Sequence, residues 1–170
     1  MSILKRVVAL TESIEIGQRD SWDQYFMAKA YIASMRSTCG SRRVGAVIVK
    51  GKRDIASGYN GYPPGAKHCV DGGCPRFEAK KKGLIESGKY SNYFPCDAFH
   101  AEQSTLNQCL EQGISTKNTS IYCTTFPCRE CAKKILGAQI NKVYYLEGYP
   151  DDYSKEYFDR YGVEVIKVEI

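Results

Sequence analysis

Two short stretches of the chain carry residue types that can do metal chemistry. His100-Ala101-Glu102 is the first; 26 residues after Glu102 comes Cys128-Arg129-Glu130-Cys131, with Pro127 ahead of the cysteine pair. One His and two Cys supply zinc with three ligands, the number used by catalytic sites that keep a fourth position for water. Glu102 stands too close to His100 along the chain to ligate the same ion easily, yet it can reach a bound water. Zinc lowers the pKa of such a water to about 7, and a carboxylate beside it can take the proton and pass it on. The competing reading is a closed structural knuckle completed by a further Cys. A structural site has no use for the carboxylate, so the added Glu102 favours catalysis.

These groups need elements to aim them. Cys128 and Cys131 are spaced to face one way on the first turn of a helix, and Pro127 suits its entry. The positive end of that helix favours thiolates. His100 falls at the start of a helix predicted over 101–113, so two helix starts should meet at one edge of a sheet. Strands are predicted at 119–124, 142–146 and 163–168, alternating with helices at 128–138 and 153–161. That alternation argues for right-handed crossovers and parallel pairing. Upstream, Val44 to Val49 and Asp54 to Tyr59 read as an antiparallel hairpin followed by the turn Asn60-Gly61. Ser21 and Gln24 form a capping-box pattern. The helix they open should run to Cys39-Gly40 with Trp22, Phe26, Ala30 and Ala33 on one face. A short helix is expected within residues 3 to 16. Residues 63–99 read as a long irregular insertion, and such loops tend to be functional.

The chain has 170 residues, enough for one compact domain over 1–170 with residues 1–19 as an N-terminal extension. Apolar residues make up 43% and charged residues 25%, ordinary for a globular protein. No apolar run approaches the roughly 20 residues of a membrane helix, and the apolar run in Met1 to Leu10 is too short for a signal peptide. The expectation is therefore a cytoplasmic protein, bacterial or of a virus-infected cell, with no membrane partner. The net charge of +5 is modest, and the one dense basic run, Lys80 to Lys82, reads as solvated. That disfavours nucleic acid as a partner. Eight cysteines in such a context point to metal rather than disulfides. Cys109 and Cys123 fall in regular elements and read as plain core.

The pattern H-x-E with P-C-x-x-C is itself the signature of zinc nucleobase deaminases. Beyond it, Arg36-Ser37-Thr38-Cys39, Val44 to Val49, Gly58-Tyr59-Asn60-Gly61-Tyr62-Pro63, His68-Cys69 and Ala132-Lys133 resemble the deoxycytidylate (dCMP) deaminase family over most of residues 20 to 150. The G-Y-N-G-x-P stretch is the most specific part. The resemblance implies an α/β protein, a three-layer α/β/α cytidine-deaminase-like fold. Its mixed five-stranded sheet would have the first two strands antiparallel and the remainder parallel. It implies zinc-dependent hydrolysis of dCMP to dUMP and ammonia, which supplies dUMP for thymidylate synthesis. Glu102 would protonate N3 and then the departing amine. The Ala101 N–H would hold the ring O2, Asn60 the sugar, and Phe126 would pack on the base. The phosphate would lie near the loop after the first helix, where Arg36, Ser41, Arg42 and Arg43 are candidates, with hydroxyl contacts from Tyr149 and Tyr153. Each has a plainer alternative: a turn residue for Asn60, core packing for Phe126 and the tyrosines, a solvated helix end for the arginines.

The resemblance also implies a second, structural zinc. Cys39, Cys69, Cys74 and Cys96 are the preferred ligands, with His68 as substitute; reduced free thiols are the alternative. A metal would stabilise a loop too poor in apolar residues to do so itself. A homohexamer, dCTP and dTTP as effectors, and Mg2+ accompanying an allosteric nucleotide follow from the same resemblance. One position departs from the family pattern H-A-E-x-N-A: Ser104 stands where Asn is usual. The departure leaves the zinc chemistry intact but opens the substrate to CMP or dCTP. A deaminase acting on a base within nucleic acid and a catalytically silent zinc scaffold are the competing functions. The first would need a groove of cations and aromatics beside the site; the second is disfavoured by Glu102.

Overall fold

A computed structural model describes residues 2–15, 17–86, 94–148 and 152–169. Its centre is a five-stranded sheet in the order β2-β1-β3-β4-β5. β1 (Gly45–Lys50) pairs antiparallel with β2 (Arg53–Tyr59) and with β3 (Ser120–Thr125). β3, β4 (Lys142–Glu147) and β5 (Glu164–Lys167) run parallel, as the alternation of apolar strands and helices requires. The two crossovers contain α5 (Arg129–Gly137) and α6 (Asp152–Arg160).

The sheet buries both faces. On one, α2 (Trp22–Ser34) lays Phe26, Met27 and Ala30 on Val47, Val49, Tyr122 and Tyr144. On the other, α4 (Ala101–Glu111), α5 and α6 contribute Ala101, Cys109, Ile135 and Phe158 against Ala46, Ile48, Ile121 and Val143. This is the expected three-layer α/β/α arrangement. Cys109 and Cys123 are core, as read from the sequence.

Two glycines let the helices approach the hairpin closely. A Cβ on Gly45 would lie 1.9 Å from the Ala30 carbonyl oxygen of α2. A Cβ on Gly58 would lie 2.6 Å from both the backbone nitrogen and Oγ1 of Thr105 on α4. Backbone touches backbone at both places, which a side chain would prevent.

Three expectations need correction. The Ser21/Gln24 capping box forms, but α2 ends at Ser34, not near Cys39-Gly40. The chain beyond it is drawn away because the Ser37 hydroxyl donates to Asn60, at 2.7 Å to its carbonyl and 2.8 Å to Oδ1. The buried face is Phe26, Met27, Ala30 and Ser34; Trp22 is half exposed, stacked on Phe26 with Lys52 over its ring. The 63–99 insertion is also less irregular than its composition suggests. It holds a 3-10 turn at Cys69–Asp71 and α3 (Pro75–Lys81), with Pro75 at the helix start and Cys74 as its cap. α1 (Ile3–Glu12) forms within the predicted 3 to 16 but buries none of its residues.

Candidate metal centre and substrate cavity

The two helix starts meet as the spacing requires. His100 is the N-cap of α4 and Cys128 the N-cap of α5. The Gln103 side chain accepts from the His100 backbone N–H at 2.9 Å, and Ala132 closes the first α5 turn on the Cys128 carbonyl at 2.8 Å. The His100 Nδ1 lies 3.4 Å from the sulfur of Cys128 and 3.4 Å from that of Cys131. A nitrogen and a sulfur on one tetrahedral zinc, at about 2.0 and 2.3 Å, stand about 3.5 Å apart. The donor set therefore fits zinc in type and in spacing. Among the described residues, His100, Cys128 and Cys131 are the one group of three whose ligand atoms lie within 4.8 Å of one another.

The electrostatics favour a thiolate at Cys128 and a thiol at Cys131. The neighbouring Cys131 thiol and the His100 ring hold Cys128 down at about 3, while the Cys128 thiolate and burial push Cys131 up. Thiolate at a helix N-terminus is what a metal site needs. Glu102, in the first turn of α4, is 4% exposed. Burial pushes its carboxyl above the usual carboxylate range, against the pull of the nearby His100.

These residues open onto a cavity of about 220 Å³. His100, Ala101, Glu102 and Cys128 line it together with Cys39, Ser41, Arg42, Val44, Asn60, Thr125 and Phe126. Larger grooves, of about 880 and 800 Å³, lie along α1 and α2. They hold none of the clustered ligand residues, so the chemistry singles out the smaller cavity.

The expected substrate contacts divide. Ala101, Asn60, Phe126 and Ser41 line the cavity. Asn60 does more than favour a turn. Its amide donates to the Arg42 carbonyl at 2.9 Å, and its Oδ1 accepts from the Val44 N–H and the Ser37 hydroxyl at 2.8 Å each. It thereby fixes the whole 37–44 loop. Phe126 is both core and wall, packing edge-on against Tyr145 and Phe158. Arg36 and Arg43 are exposed and lie outside the cavity lining; Arg42 is the arginine that reaches it. The fixed loop conformation decides which of these neighbours turns inward. Tyr153, on α6, lies under the Arg129 guanidinium, 4.1 Å from its ring centre, and stacks on Tyr157. Tyr149 falls outside the described residues. Lys80 is not simply solvated, since its Nζ reaches the Ser41 hydroxyl at 3.1 Å. Thr125, which no sequence signal marked, also lines the cavity.

Of the second set of thiols the structure brings Cys74 and Cys96 together, but among the described residues no three of Cys39, Cys69, Cys74 and Cys96 have their sulfurs within 4.8 Å of one another, and Cys39 lines the Glu102 cavity. Cys74 and Cys96 stand 3.8 Å apart, sulfur to sulfur, the separation of two thiolates on one tetrahedral zinc at about 2.3 Å each. Cys69 is buried, takes the Gly40 N–H at 3.4 Å, and feels both Cys74 and Cys39. Tyr62 turns a buried hydroxyl toward Cys74 and Cys96 without closing a hydrogen bond in ordinary geometry. His68 is turned elsewhere, its Nδ1 at 3.2 Å from Thr38 Oγ1.

Among known proteins, the profile of the cytidine and deoxycytidylate deaminase zinc-binding region matches residues 20–147. ComE operon protein 2 of Bacillus subtilis is 40% identical over 154 residues, spanning 90% of this chain and 74% of that protein. The deoxycytidylate deaminase of Schizosaccharomyces pombe is 42% identical over 134 residues, spanning 79% of this chain but only 39% of the yeast protein. The solved structure of a dCMP deaminase from cyanophage S-TIM5 in complex with dCMP and dUMP superposes with a TM-score of 0.70 and 28% identity, covering 89% of this chain and 99% of that one. The profile's span contains both halves of the His100/Cys128/Cys131 centre, the Glu102 carboxylate and the loop that Asn60 fixes, and the chain belongs to the cytidine and deoxycytidylate deaminase family.

Proposed function

We propose that this chain hydrolyses the exocyclic amine of a free cytosine nucleotide, converting dCMP and water to dUMP and ammonia and so supplying dUMP for thymidylate synthesis. The observation that carries the reading is the buried Glu102 carboxylate beside the His100/Cys128/Cys131 donor set, in a cavity sized for one small ligand. His100, Cys128 and Cys131 would hold zinc, which when bound would supply a water acidic enough to act as nucleophile near neutral pH. Glu102 would take the first proton of that water and deliver it to N3, then take the second from the new C4 hydroxyl and deliver it to the amine as the C4–N bond breaks and the C4 carbonyl forms. Its raised pKa suits a group that must both accept and return a proton. The Ala101 N–H holds the ring O2, Phe126 walls the base, Asn60 meets the sugar, and Ser41 with Arg42 faces the phosphate.

Ammonia release from dCMP, CMP, dCTP, deoxycytidine and a short cytosine-containing oligonucleotide tests this. Turnover of dCMP above the others is expected. Because Ser104 stands where the family has Asn, CMP and dCTP are the informative competitors. Turnover of the oligonucleotide alone would overturn the reading.

The 3.8 Å Cys74–Cys96 spacing, with Cys69 beside Cys74, supports a second, structural zinc on Cys39, Cys69, Cys74 and Cys96, which would have to draw Cys39 in from the cavity wall. About two zinc ions per gently purified chain are expected, and one per chain would remove the second site. The rest of the proposal follows the family. It is a single domain over 1–170, assembled as a homohexamer, answering to dCTP and dTTP with Mg2+ accompanying the allosteric nucleotide, and working in the cytoplasm. No helix among the described residues is long and apolar enough to cross a membrane.

A further inference from the structure

The 63–99 insertion touches the wall of the substrate cavity through one helix. α3 begins at Pro75, with the Cys74 sulfur accepting from the Phe77 N–H at 3.4 Å. The Phe77 ring lies against Gly40, where a Cβ would come within 2.1 Å of it. Three residues on, along the same helix face, the Lys80 ammonium donates to the Ser41 hydroxyl oxygen at 3.1 Å. Successive loop residues, Gly40 and Ser41, thus receive successive side chains of one helix face. The loop is tied to the insertion a second time, since the Gly40 N–H donates to the Cys69 sulfur at 3.4 Å.

The charges around this contact are uneven. Lys81 is matched by Glu78 at 3.0 Å and lies over the Phe77 ring. Arg42 is matched by Glu147 at 3.0 Å. Among the described residues Lys80 has no carboxylate partner, and its side-chain hydrogen bond goes to Ser41. An ammonium can only donate, so Lys80 occupies an acceptor lone pair of the Ser41 oxygen. The Ser41 hydroxyl hydrogen has no acceptor among the described residues, and Ser41 is exposed and lines the Glu102 cavity. A hydroxyl polarised by a cation behind it is a strengthened donor, and an anion is what such a donor suits. A phosphate monoester carries a charge of about −1.5 to −2 at pH 7, more than an Arg42 already matched by Glu147 can balance.

We infer that Lys80 is a positioning residue for nucleotide binding: its ammonium holds the Ser41 hydroxyl by the oxygen and leaves the hydroxyl hydrogen to donate to the 5′-phosphate. This role rests on the cytosine-nucleotide reading given above, with Ser41 at the phosphate. A phosphate oxygen accepting from Ser41 at about 2.7 Å stands no further than about 6 Å from the Lys80 nitrogen, within one Debye length at physiological salt. The insertion thereby lends its charge to a loop it does not belong to, and helps tell a nucleotide from a nucleoside.

Lys80→Met, Ser41→Ala and the double variant test this by steady-state kinetics on dCMP and deoxycytidine. Lys80→Met should raise KM for dCMP about three- to fivefold with kcat little changed, and leave kcat/KM for deoxycytidine as it was. Ser41→Ala should raise KM for dCMP at least as much. In the Ser41→Ala background, Lys80→Met should add less than about twofold, because the group it acts through has gone. Lys80→Arg, which keeps a charged donor, should recover most of the loss. An unchanged KM for dCMP in Lys80→Met would overturn the role, as would an equal loss on deoxycytidine, which would mark a merely structural contact. So would an undiminished effect in the Ser41→Ala background, which would make Lys80 an independent cation. An unmodified protein that turns over no cytosine nucleotide would sink the deaminase reading and this role with it. An active parent with an unchanged Lys80→Met would sink this role alone.

Discussion

The Glu147 carboxylate holds the Arg42 guanidinium at 3.0 Å, Oε2 to Nη2, across 105 positions of sequence. Its other oxygen accepts from the Tyr31 hydroxyl of α2. Arg42 lines the cavity that holds Glu102, whereas Tyr31 and Glu147 line the larger groove along α1 and α2. One carboxylate thus separates two depressions and orients the cation between them. Both partners of the pair are about half exposed, with side-chain exposures of 54% and 48%. Such pairs contribute little to stability, so the consequence of this one is orientation. Glu147→Gln should raise KM for dCMP by roughly three- to tenfold with a small change in thermal midpoint. Steady-state kinetics beside a melting curve checks it; an unchanged KM would mean that Arg42 holds its place without Glu147.

A second ion pair gives a pH dependence with a defined sign. Lys29 on α2 meets Asp54 on β2 at 2.6 Å. The Lys29 hydrogen bond holds the Asp54 carboxyl below its ordinary value of 3.8. Burial pulls Lys29 down, but the Asp54 contact raises it on balance above 10.5. A depressed carboxyl contributes stability above its unfolded pKa and loses it as pH falls through the folded value. A raised amine contributes below its unfolded pKa and loses it as pH rises through the folded value. Asp54→Asn should therefore cost up to about 1 kcal/mol at pH 7. The difference should fade toward pH 3 and again above pH 11, as urea unfolding at those values would report.

The third expectation concerns the proton carrier. Glu102→Gln keeps the shape of the side chain and all three donors of the metal centre, but the amide cannot shuttle a proton. Turnover should fall by about 100- to 10,000-fold, with zinc content unchanged by metal analysis. A variant with full turnover would end the proton-transfer role, while loss of the metal would show that Glu102 serves the centre instead.

Much of this was legible in the chain. The His100 and Cys128 helix starts, the core cysteines and the element types follow from spacing and apolar period, which are local properties. The arginine at the cavity was less legible. Arg36, Arg42 and Arg43 are equivalent by composition, and only Asn60, reaching the 37–44 loop from the far end of the hairpin, decides which turns inward. The end of α2 shifted for the same reason, because Ser37 is held by Asn60. Thr125 carried no signal at all: a threonine at a strand end is common, and its place on the cavity wall exists only in three dimensions.

Gly58 brings the hairpin stretch into a different light. It lies 2.6 Å, by the atom it lacks, from Thr105 on α4. The same helix begins at His100 and carries Glu102 in its first turn. Two positions on, Asn60 sets the loop that presents Arg42. The stretch therefore works as an alignment jig: one end gauges how deep the histidine and glutamate sit, the other where the cation stands. What position 58 controls is the tolerance of the centre, and a single methyl there would put the helix out of true without touching any group that reacts.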